Sequence, residues 1–372
     1  MGIGIFQLFP TDNSSIQQIL SLIFYAIFFF YLFFGQQLQV QRILLSISGA
    51  LNKIKDAHDR SKREIIDFLQ KNGYKGDAIS HVNTLIEYFT ISPVDLDPTG
   101  LVKKIEHILS VRDERIRSEV RSMLPEKDAL TISILENLLE ISAALNVYYK
   151  VVRHYYLIGK KTSNLYLLMQ LQMVLPDLLR EVEALVSAIE PIKNAQPIGD
   201  GIGPMVAGRL LLNNDKKQIA RDTVFGEVNY KNRILYVIKA EGPAGNVGQP
   251  GNAIEYLINN YGLKPAAIIM IDAALKLEGE ATGEVAEGAG AAIGGIGVDK
   301  YKIEEIASRN NIPLYAIIIK ESIVEAITCM TKEIVEAIPK VLNRIDYLLE
   351  NRTREGDRVI VVGVGNSIGV GQ

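Results

Sequence analysis

The chain has few cysteine and histidine residues, on which most disulfide, metal and nucleophile chemistry depends. It has 372 residues but a single cysteine, Cys329, and four histidines, all of them before residue 160. One cysteine excludes an internal disulfide framework and a cysteine-rich metal site, and it favours a reducing compartment. The 40 basic and 43 acidic residues leave a net charge of −3, so no global field attracts nucleic acid. We therefore expect no nucleic-acid partner.

Charge is also missing from the N-terminal region. No charged residue occurs between Asp12 and Arg42, and residues 19–34 read ILSLIFYAIFFFYLFF. Because about twenty apolar residues span a bilayer as a helix, residues 16–36 are predicted to be a transmembrane helix whose partner is membrane lipid. The basic residues nearest to it all follow it. The positive-inside rule then predicts that residues 1–15 form a short tail outside the cell membrane and that the bulk of the chain is cytoplasmic.

Residues 37–193 have few strand signals and are predicted to form an all-α domain, with its shorter helices at about 39–71, 77–90, 100–111 and 113–124. Apolar side chains recur there at intervals of three and four, which is one face of a helix. They are Leu130, Ile134, Leu138, Ile141, Leu145, Tyr148, Val152 and Tyr155. Such a stripe is typical of a core or of a partner face, so a homo-oligomer through the transmembrane and helical segments is one expectation.

Residues 194–372 are rich in glycine and alternate between short β-branched runs and helical segments. Strands are predicted at 233–240, 266–274, 313–320 and 358–365, and helices at 204–213, 251–261, 300–310 and 322–352. Continuous apolar strands that alternate with helices indicate a parallel sheet covered on both faces. The predicted architecture is thus a single transmembrane helix, an all-α middle domain and a C-terminal α/β domain with a mostly parallel sheet, of the phosphorylase/hydrolase-like kind.

The site is expected where the strands end, because ligands in open α/β sheets collect beyond the carboxyl ends of the strands. The α/β domain has no histidine and its cysteine lies in a predicted helix, so nucleophilic triads lack their base. What remains is carboxylate chemistry, with Asp200 and Asp272 as the candidate catalytic pair. Two alternatives stay open: Asp200 as a helix N-cap and Asp272 as a turn residue at a strand end.

The substrate or ligand pocket is expected to be built from the glycine-rich loops and a few polar residues around this pair. Its candidate residues are Gly199, Gly201, Glu241, Gly242, Gly248, Glu278, Gly295, Gly365 and Asn366. Glu278 opens an acidic run with Glu280, Glu284 and Glu287, which is either solvated loop charge or a metal site. No metal and no cofactor are assigned from the sequence.

Four segments resemble one family of proteases. One of them, GAGAAIGGIGVDKYKIEEIASRNNIPLYAI at residues 288–317, is similar to a glycine-rich loop, helix and strand of that family. GDGIGPMVAGRLL, residues 199–211, is similar to the loop and helix that carry the first catalytic aspartate of the germination endopeptidases that degrade small acid-soluble spore proteins. EGPAGNVGQPGNAIEYLI, residues 241–258, is similar to their glycine-rich loop, and KPAAIIMIDAAL, residues 264–275, to their strand with the second aspartate. The likeness to hydrogenase maturation proteases is more distant. This domain cannot supply the metal-contacting histidine of that family, so the resemblance does not extend to nickel recognition. The resemblance implies an endopeptidase with Asp200 and Asp272 as its catalytic residues.

One departure from that family concerns the order of its parts. The family's opening strand ends in Gly-x-Gly-Asn and should precede Asp200, whereas here RVIVVGVGN stands at residues 358–366. This suggests a circular permutation, with the last strand beside the loop at 197–204 and Asn366 near Asp200. The whole chain also resembles an uncharacterised archaeal membrane-anchored family, which implies no function.

Two functions follow as alternatives. The first is a membrane-anchored endopeptidase that activates water with the aspartate pair and acts on a protein or peptide. The second is a non-enzymatic membrane-anchored ligand-binding or scaffold protein that uses the same glycine-lined pocket.

Overall fold

The computed structural model describes residues 14–91, 98–295 and 297–371. The predicted tail at 1–15 lies almost entirely outside the described residues. The described chain divides into two compact units, one with residues 14–55 and 148–179 and the other with residues 56–147 and 180–371. The predicted domain boundary at residue 194 stays a prediction.

The first half of the chain is helical, as its 3.6-residue periodicity predicted. Its helices are α1 (Ser14–Lys71), α2 (Ala78–Ile86), α3 (Pro98–Met123), α4 (Ala129–Thr162) and α5 (Leu165–Lys193). Two predicted short helices at 100–111 and 113–124 are a single helix, α3, because nothing in that segment interrupts the ladder of backbone hydrogen bonds. The apolar run and the segment from residue 39 to residue 71 likewise belong to one element, α1.

One described helix, α4, is long and apolar enough to cross a membrane, although 56% of its most apolar window is buried inside the protein. The two parts of α1, Ile19–Leu32 and Phe34–Lys71, are bent by 59° and together pass the same test. Length and composition alone are weak evidence for a membrane span, because core helices of soluble proteins pass the same test. Apolar side chains in the first part of α1 are strongly exposed, with Phe24 at 62% and Tyr31 at 73%.

The second half of the chain forms a seven-stranded sheet. Its strands are β1 (Lys217–Ala220), β2 (Thr223–Tyr230), β3 (Arg233–Ala240), β4 (Ala267–Leu275), β5 (Val285–Ala289), β6 (Leu314–Glu321) and β7 (Arg358–Gly363), in the order β1-β2-β3-β7-β4-β6-β5. The four strands β3, β7, β4 and β6 are parallel to one another, and β1, β2 and β5 pair antiparallel at the two edges. The sheet is therefore mixed, and the expectation of a mostly parallel sheet holds only for its centre.

Six α-helices pack with the sheet in the described part of this half. The prediction is wrong mainly for the last helix. The six helices are α6 (Ile202–Leu210), α7 (Pro250–Asn259), α8 (Val298–Arg309), α9 (Ile323–Ile327), α10 (Lys332–Val335) and α11 (Ile338–Arg352). The single helix predicted at 322–352 is divided into α9, α10 and α11. A backbone bridge between Ile198 and Cys329 occupies the first break, so tertiary pairing interrupts a segment whose local sequence favours a helix.

Both faces of the sheet are buried, which fits the apolar strands. Along β7, Val359 and Val361 pack into a core cluster with residues of α6 and α11, such as Val206. Ile360 and Val362 point the other way, into a cluster with residues of α7 and α8. The α/β part is thus three layers, and its parallel strands end at one edge of the sheet.

Candidate functional site

The site begins where the last strand inserts into the sheet. Because β7 lies between β3 and β4, its end comes beside the turn of 3-10 helix at Gly199–Gly201 that precedes α6. The backbone N–H of Asn366 donates to Asp200 Oδ2 at 2.6 Å. Gly365 has φ +128°, and a Cβ there would lie 1.9 Å from the carbonyl oxygen of Asp200, so this approach requires glycine. As the sequence predicted, the end of β7 lies beside the loop at 197–204 and Asn366 lies next to Asp200. The circular permutation itself stays a prediction.

Asp200 is not a helix N-cap. The N-cap of α6 is Gly201, and no side chain caps this helix. The side chain of Asp200 is partly buried and accepts from the loop after β7 instead. Burial raises the pKa of Asp200, and the N–H of Asn366 opposes that rise.

Asp272 is not a turn residue. It lies within β4 beside Ile318 of β6, and only 7% of it is exposed. Burial and the charge of Asp200 raise its pKa to about 8, although backbone N–H groups of Ala273 and Gly294 stabilise the charged form. A carboxyl group with such a pKa is protonated at neutral pH, so it can donate a proton.

Asp200 and Asp272 line the same cavity, which has a volume of about 570 Å³. Three of the predicted pocket glycines line it as well, namely Gly248, Gly295 and Gly365. The cavity also reaches the first turn of α8 and Lys302. The structure thus brings together the aspartate pair and three of the nine residues that the sequence proposed for the pocket.

The other six predicted pocket residues lie elsewhere. Asn366 lines an adjacent cavity of about 170 Å³, and its side-chain oxygen accepts from the N–H of Ile368. Glu241 and Gly242 line a third cavity, of about 200 Å³. Gly199 and Gly201 are buried in the turn around Asp200, and Glu278 is exposed in a turn after β4. The polar side chains expected to orient a ligand next to the pair, Glu241 and Asn366, are therefore not the ones that line its cavity.

The acidic run after β4 is largely paired with basic side chains. Lys320 Nζ lies 2.6 Å from Glu280 Oε1 and 3.1 Å from Glu284 Oε1, and Arg344 Nε lies 3.7 Å from Glu287 Oε2. Among the described residues, no group of three or more histidine, cysteine or acidic side chains is arranged to hold a metal ion. The described part of the chain gives no support to a metal site in this run.

Sequence reasoning missed a third carboxyl group, Glu321, at the end of β6. Only 1% of it is exposed, and neither of its oxygens has a hydrogen-bond partner within the described chain. A Cβ at Gly199 would lie 2.4 Å from Glu321 Oε2, which places the carboxyl group against the turn that carries Asp200. The available signal was a glutamate directly after the apolar run of a parallel strand, at the same sheet edge as Asp272.

The three carboxyl groups affect one another. Burial raises the pKa of Glu321 to about 8, and the charges of Asp200, Glu325 and Asp272 act in the same direction. Like charges in a poorly hydrated site cannot all ionise together. At neutral pH this cluster therefore holds protons that exposed carboxylates would release, and its titration belongs to the group as a whole.

Helices α3 and α4 form one wall of the cavity with the side chains of Glu106, Leu109, Ser110, Arg112, Asp113 and Glu140. Arg117 of α3 attaches this wall to the sheet through two hydrogen bonds with Asp222, at 3.2 and 2.7 Å. Gly245 in the loop after β3 donates its N–H to Ser133 Oγ at 2.8 Å and accepts from Asn137 Nδ2 at 3.0 Å. The helical segment thus takes part in the site, which the sequence did not indicate.

An ion pair connects this wall with α8, on the opposite side of the cavity. Lys302 Nζ of α8 lies 2.5 Å from Glu106 Oε1 of α3 and 2.6 Å from Asn252 Oδ1 of α7. These three residues, all of them in the cavity lining, give its rim a charged and polar character.

Two family models match the chain. Residues 21–195 match the model described as "Protein of unknown function (DUF1512) N-terminal domain", and residues 198–371 match "Domain of unknown function (DUF1512) C-terminal". No curated protein matches the chain. The two matches meet between residues 195 and 198, just before the turn that carries Asp200.

Proposed function

We propose a function for this chain, which belongs to the DUF1512 family: it is a membrane-anchored hydrolase that activates water with Asp200 and Asp272. The observation that carries the proposal is that two aspartates 72 positions apart in the sequence line one cavity. The charge of one raises the pKa of the other. Perturbed carboxyl groups in a cavity are typical of acid and base catalysts.

The chemistry requires the pair to share a proton. Asp200, whose carboxylate accepts the N–H of Asn366 and whose charge raises the pKa of Asp272, acts as the base that takes a proton from water. Asp272, protonated at neutral pH, acts as the acid. The water oxygen bonds to the carbonyl carbon of an amide, and the proton of Asp272 goes to the leaving amine as the C–N bond breaks. Each aspartate then returns to its starting state by proton exchange, as in other paired-acid sites.

Glu321 enters this scheme as a positioning residue. Its buried carboxyl group packs against Gly199, next to Asp200. When Glu321 is protonated it adds no charge to the pair, and when it is ionised it opposes ionisation of its neighbours. It thereby limits the number of negative charges that the site holds.

If the chain is an endopeptidase, its cavity admits only an extended segment of the substrate. A volume of about 570 Å³ is in the range of small-ligand sites, about 300–1,000 Å³, and is too small for a folded domain. The wall of α3 and α4 restricts the substrate further, to peptide chains or small molecules that fit between this wall and the edge of the sheet.

The anchor is the part of α1 that covers residues 16–36. Its exposed apolar side chains and the absence of charge between Asp12 and Arg42 support a span across the cell membrane. The basic residues that follow support an N-terminus outside and the α/β part in the cytoplasm.

The second candidate is a non-enzymatic membrane-anchored binding protein or scaffold. The observation that favours it is the polar rim, in which Lys302 is paired with Glu106 and Asn252. Such a rim recognises a small polar ligand without any reaction. The two candidates differ in whether the aspartates turn over a substrate.

The experiment compares wild type with Asp200→Asn and Asp272→Asn, purified in detergent, for cleavage of dye-labelled casein and of a pool of synthetic peptides. The proposal predicts cleavage by wild type and a loss of at least about 100-fold in each variant, the usual scale for an acid or base catalyst. Circular dichroism must first show that both variants fold.

Asp346→Asn is the matched control, since Asp346 accepts from Tyr230 outside the cavity. It should keep the wild-type rate. If wild type cleaves neither probe, or if the two site variants cleave as fast as the control, the hydrolase proposal is wrong and the cavity is to be treated as a binding site.

A further inference from the structure

The region where α4 ends and α5 begins has a composition unlike the rest of the chain. Between Glu140 and Asp177 there are four basic residues, one histidine and no acidic residue. Five of the sixteen tyrosines also lie in this stretch. A net positive segment of this length stands out in a chain whose total charge is −3.

The two helices meet in a tight connection here. Only residues 163 and 164 separate them, and Asn164 Oδ1 accepts from the N–H of Leu167 at 3.1 Å, at the start of α5. A Cβ on Gly159 would lie 2.3 Å from Leu168 Cδ2, so α4 and α5 pack closely at this end. We call residues 153–173 the α4–α5 tip.

The surface of the tip is both basic and apolar. Arg153, Lys160 and Lys161 are exposed. Large apolar side chains are exposed beside them in sequence, with Tyr166 at 71% and Met173 at 79%. Others are Tyr155, Leu157, Ile158 and Met169. Tyr166, Met169 and Met173 recur at intervals of three and four residues, so they occupy one face of α5.

The tip belongs to the same compact unit as the apolar part of α1. That unit consists of residues 14–55 and 148–179. The glycine-lined cavity, by contrast, is built from residues of the other unit. The exposed apolar surface therefore belongs to the same unit as the proposed anchor, and the residues of the proposed chemistry belong to the other unit.

We propose that the α4–α5 tip binds the anionic headgroup layer of the bilayer in which residues 16–36 are anchored. The inference rests on the proposed anchor. Arg153, Lys160 and Lys161 meet the phosphate groups, and the apolar face of α5 enters the boundary between headgroups and acyl chains. Tyrosine is enriched at this boundary, and basic residues near an anionic leaflet are attracted to it.

The positive charge of the tip favours an anionic lipid surface over a second copy of the chain as its binding partner. A partner copy would present the same basic tip, and like charges at an interface oppose association. An anionic bilayer complements the charge and also accepts the exposed tyrosine and methionine side chains. The occupant with both properties is the lipid surface.

The chain has no tryptophan, so single tryptophans can report on depth in the membrane. Three full-length variants are reconstituted: Tyr166→Trp in the tip, Phe28→Trp in the anchor and Tyr347→Trp in α11 as the soluble control. Vesicles contain phosphatidylcholine alone or with phosphatidylglycerol, and each set is repeated with brominated acyl chains, which quench nearby tryptophan.

The inference predicts that brominated lipid quenches Tyr166→Trp at least twofold more in the anionic vesicles than in the neutral ones, and that high salt removes the difference. Tyr347→Trp stays unquenched. Adding Lys160→Gln and Lys161→Gln weakens docking by about fivefold for each lysine. The matched pair Lys216→Gln and Lys217→Gln, on the α/β part, should leave it unchanged.

The outcomes separate this inference from the anchor on which it rests. If Phe28→Trp is quenched and Tyr166→Trp is not, the anchor stands and the docking surface is wrong. If neither is quenched, the anchor fails and this inference fails with it. The emission of Tyr166→Trp could instead shift with the density of protein in the vesicles, without quenching by brominated lipid. The tip would then bind a second copy of the chain, which also overturns the inference.

Discussion

At the scale of single residues, the buried carboxyl groups determine how stability depends on pH. The pKa of Asp272 rises from 3.8 to about 8 on folding. Between these values the folded chain keeps a proton that the unfolded chain has released. Because the folded state then binds more protons, the free energy of unfolding falls as pH increases through this window. Asp272 therefore lowers the free energy of unfolding at neutral pH, relative to its value in acid.

Asp272→Asn should therefore stabilise the protein. An amide keeps the shape and the acceptor oxygen but has no charge to desolvate, so we expect a gain on the order of 2 kcal/mol at pH 7 and almost none at pH 4. Thermal unfolding followed by circular dichroism at both pH values measures this gain. A loss of stability at pH 7 would contradict the burial argument. Asp346→Asn, the control, should show no gain.

Gly199→Ala tests the contact that seats Glu321. The new Cβ would lie 2.3 Å from the carbonyl oxygen of Glu325 and 2.4 Å from Glu321 Oε2. A backbone atom cannot move aside as a flexible side chain does, so we expect a loss of about 1–3 kcal/mol. Gly288→Ala in β5 is the control, since nothing lies within 4 Å of its added Cβ. Equal Tm values for the two variants would show that the turn is not packed as described.

At the scale of elements, the wall of α3 and α4 depends on a few tethers. Arg117→Ala removes two hydrogen bonds to Asp222, and we expect a loss of about 1–3 kcal/mol, as for other hydrogen bonds to charged groups. Hydrogen exchange in the loop at 241–249 should also become faster, because this loop contacts the same wall. Lys332→Ala, which breaks an exposed pair with Glu336, should change neither quantity. Unchanged exchange in Arg117→Ala would mean that the wall does not hold the loop.

Sequence patterns predicted the central elements better than the edges. Strands β3, β4, β6 and β7 were found because each is a continuous apolar run, which a strand buried on both faces requires. The hairpin of β2 and β3 was missed because its turn residues are Lys231 and Asn232, with φ of 46° and 59°, and not the glycine pair that marks such turns. The edge strands β1 and β5 have only four and five residues, too few for a clear pattern, so their pairing partners define them.

At the scale of the whole molecule, the proposed chemistry predicts a bell-shaped pH profile. The active form needs Asp200 ionised and Asp272 protonated, so kcat/KM should rise as Asp200 loses its proton and fall above about pH 8 as Asp272 loses its own. The rise should begin above the ordinary pKa of an aspartate, 3.8, because burial raises the pKa of Asp200. Rates measured with the casein probe in detergent from pH 4 to 10 give the profile. Activity that keeps increasing up to pH 10 would exclude Asp272 as the acid.

The amino-acid sequence by itself determined the helical first half, the apolar segment in α1, the four central strands and the choice of Asp200 and Asp272 as candidate residues. These depend on local properties: periodicity, runs of apolar residues and the positions of glycine. The tertiary structure alone decided that β7 inserts between β3 and β4, that Glu321 joins Asp200 and Asp272, and that α3 and α4 wall the cavity. These features join residues more than 40 positions apart, and such contacts depend on how elements pack, which no local pattern encodes.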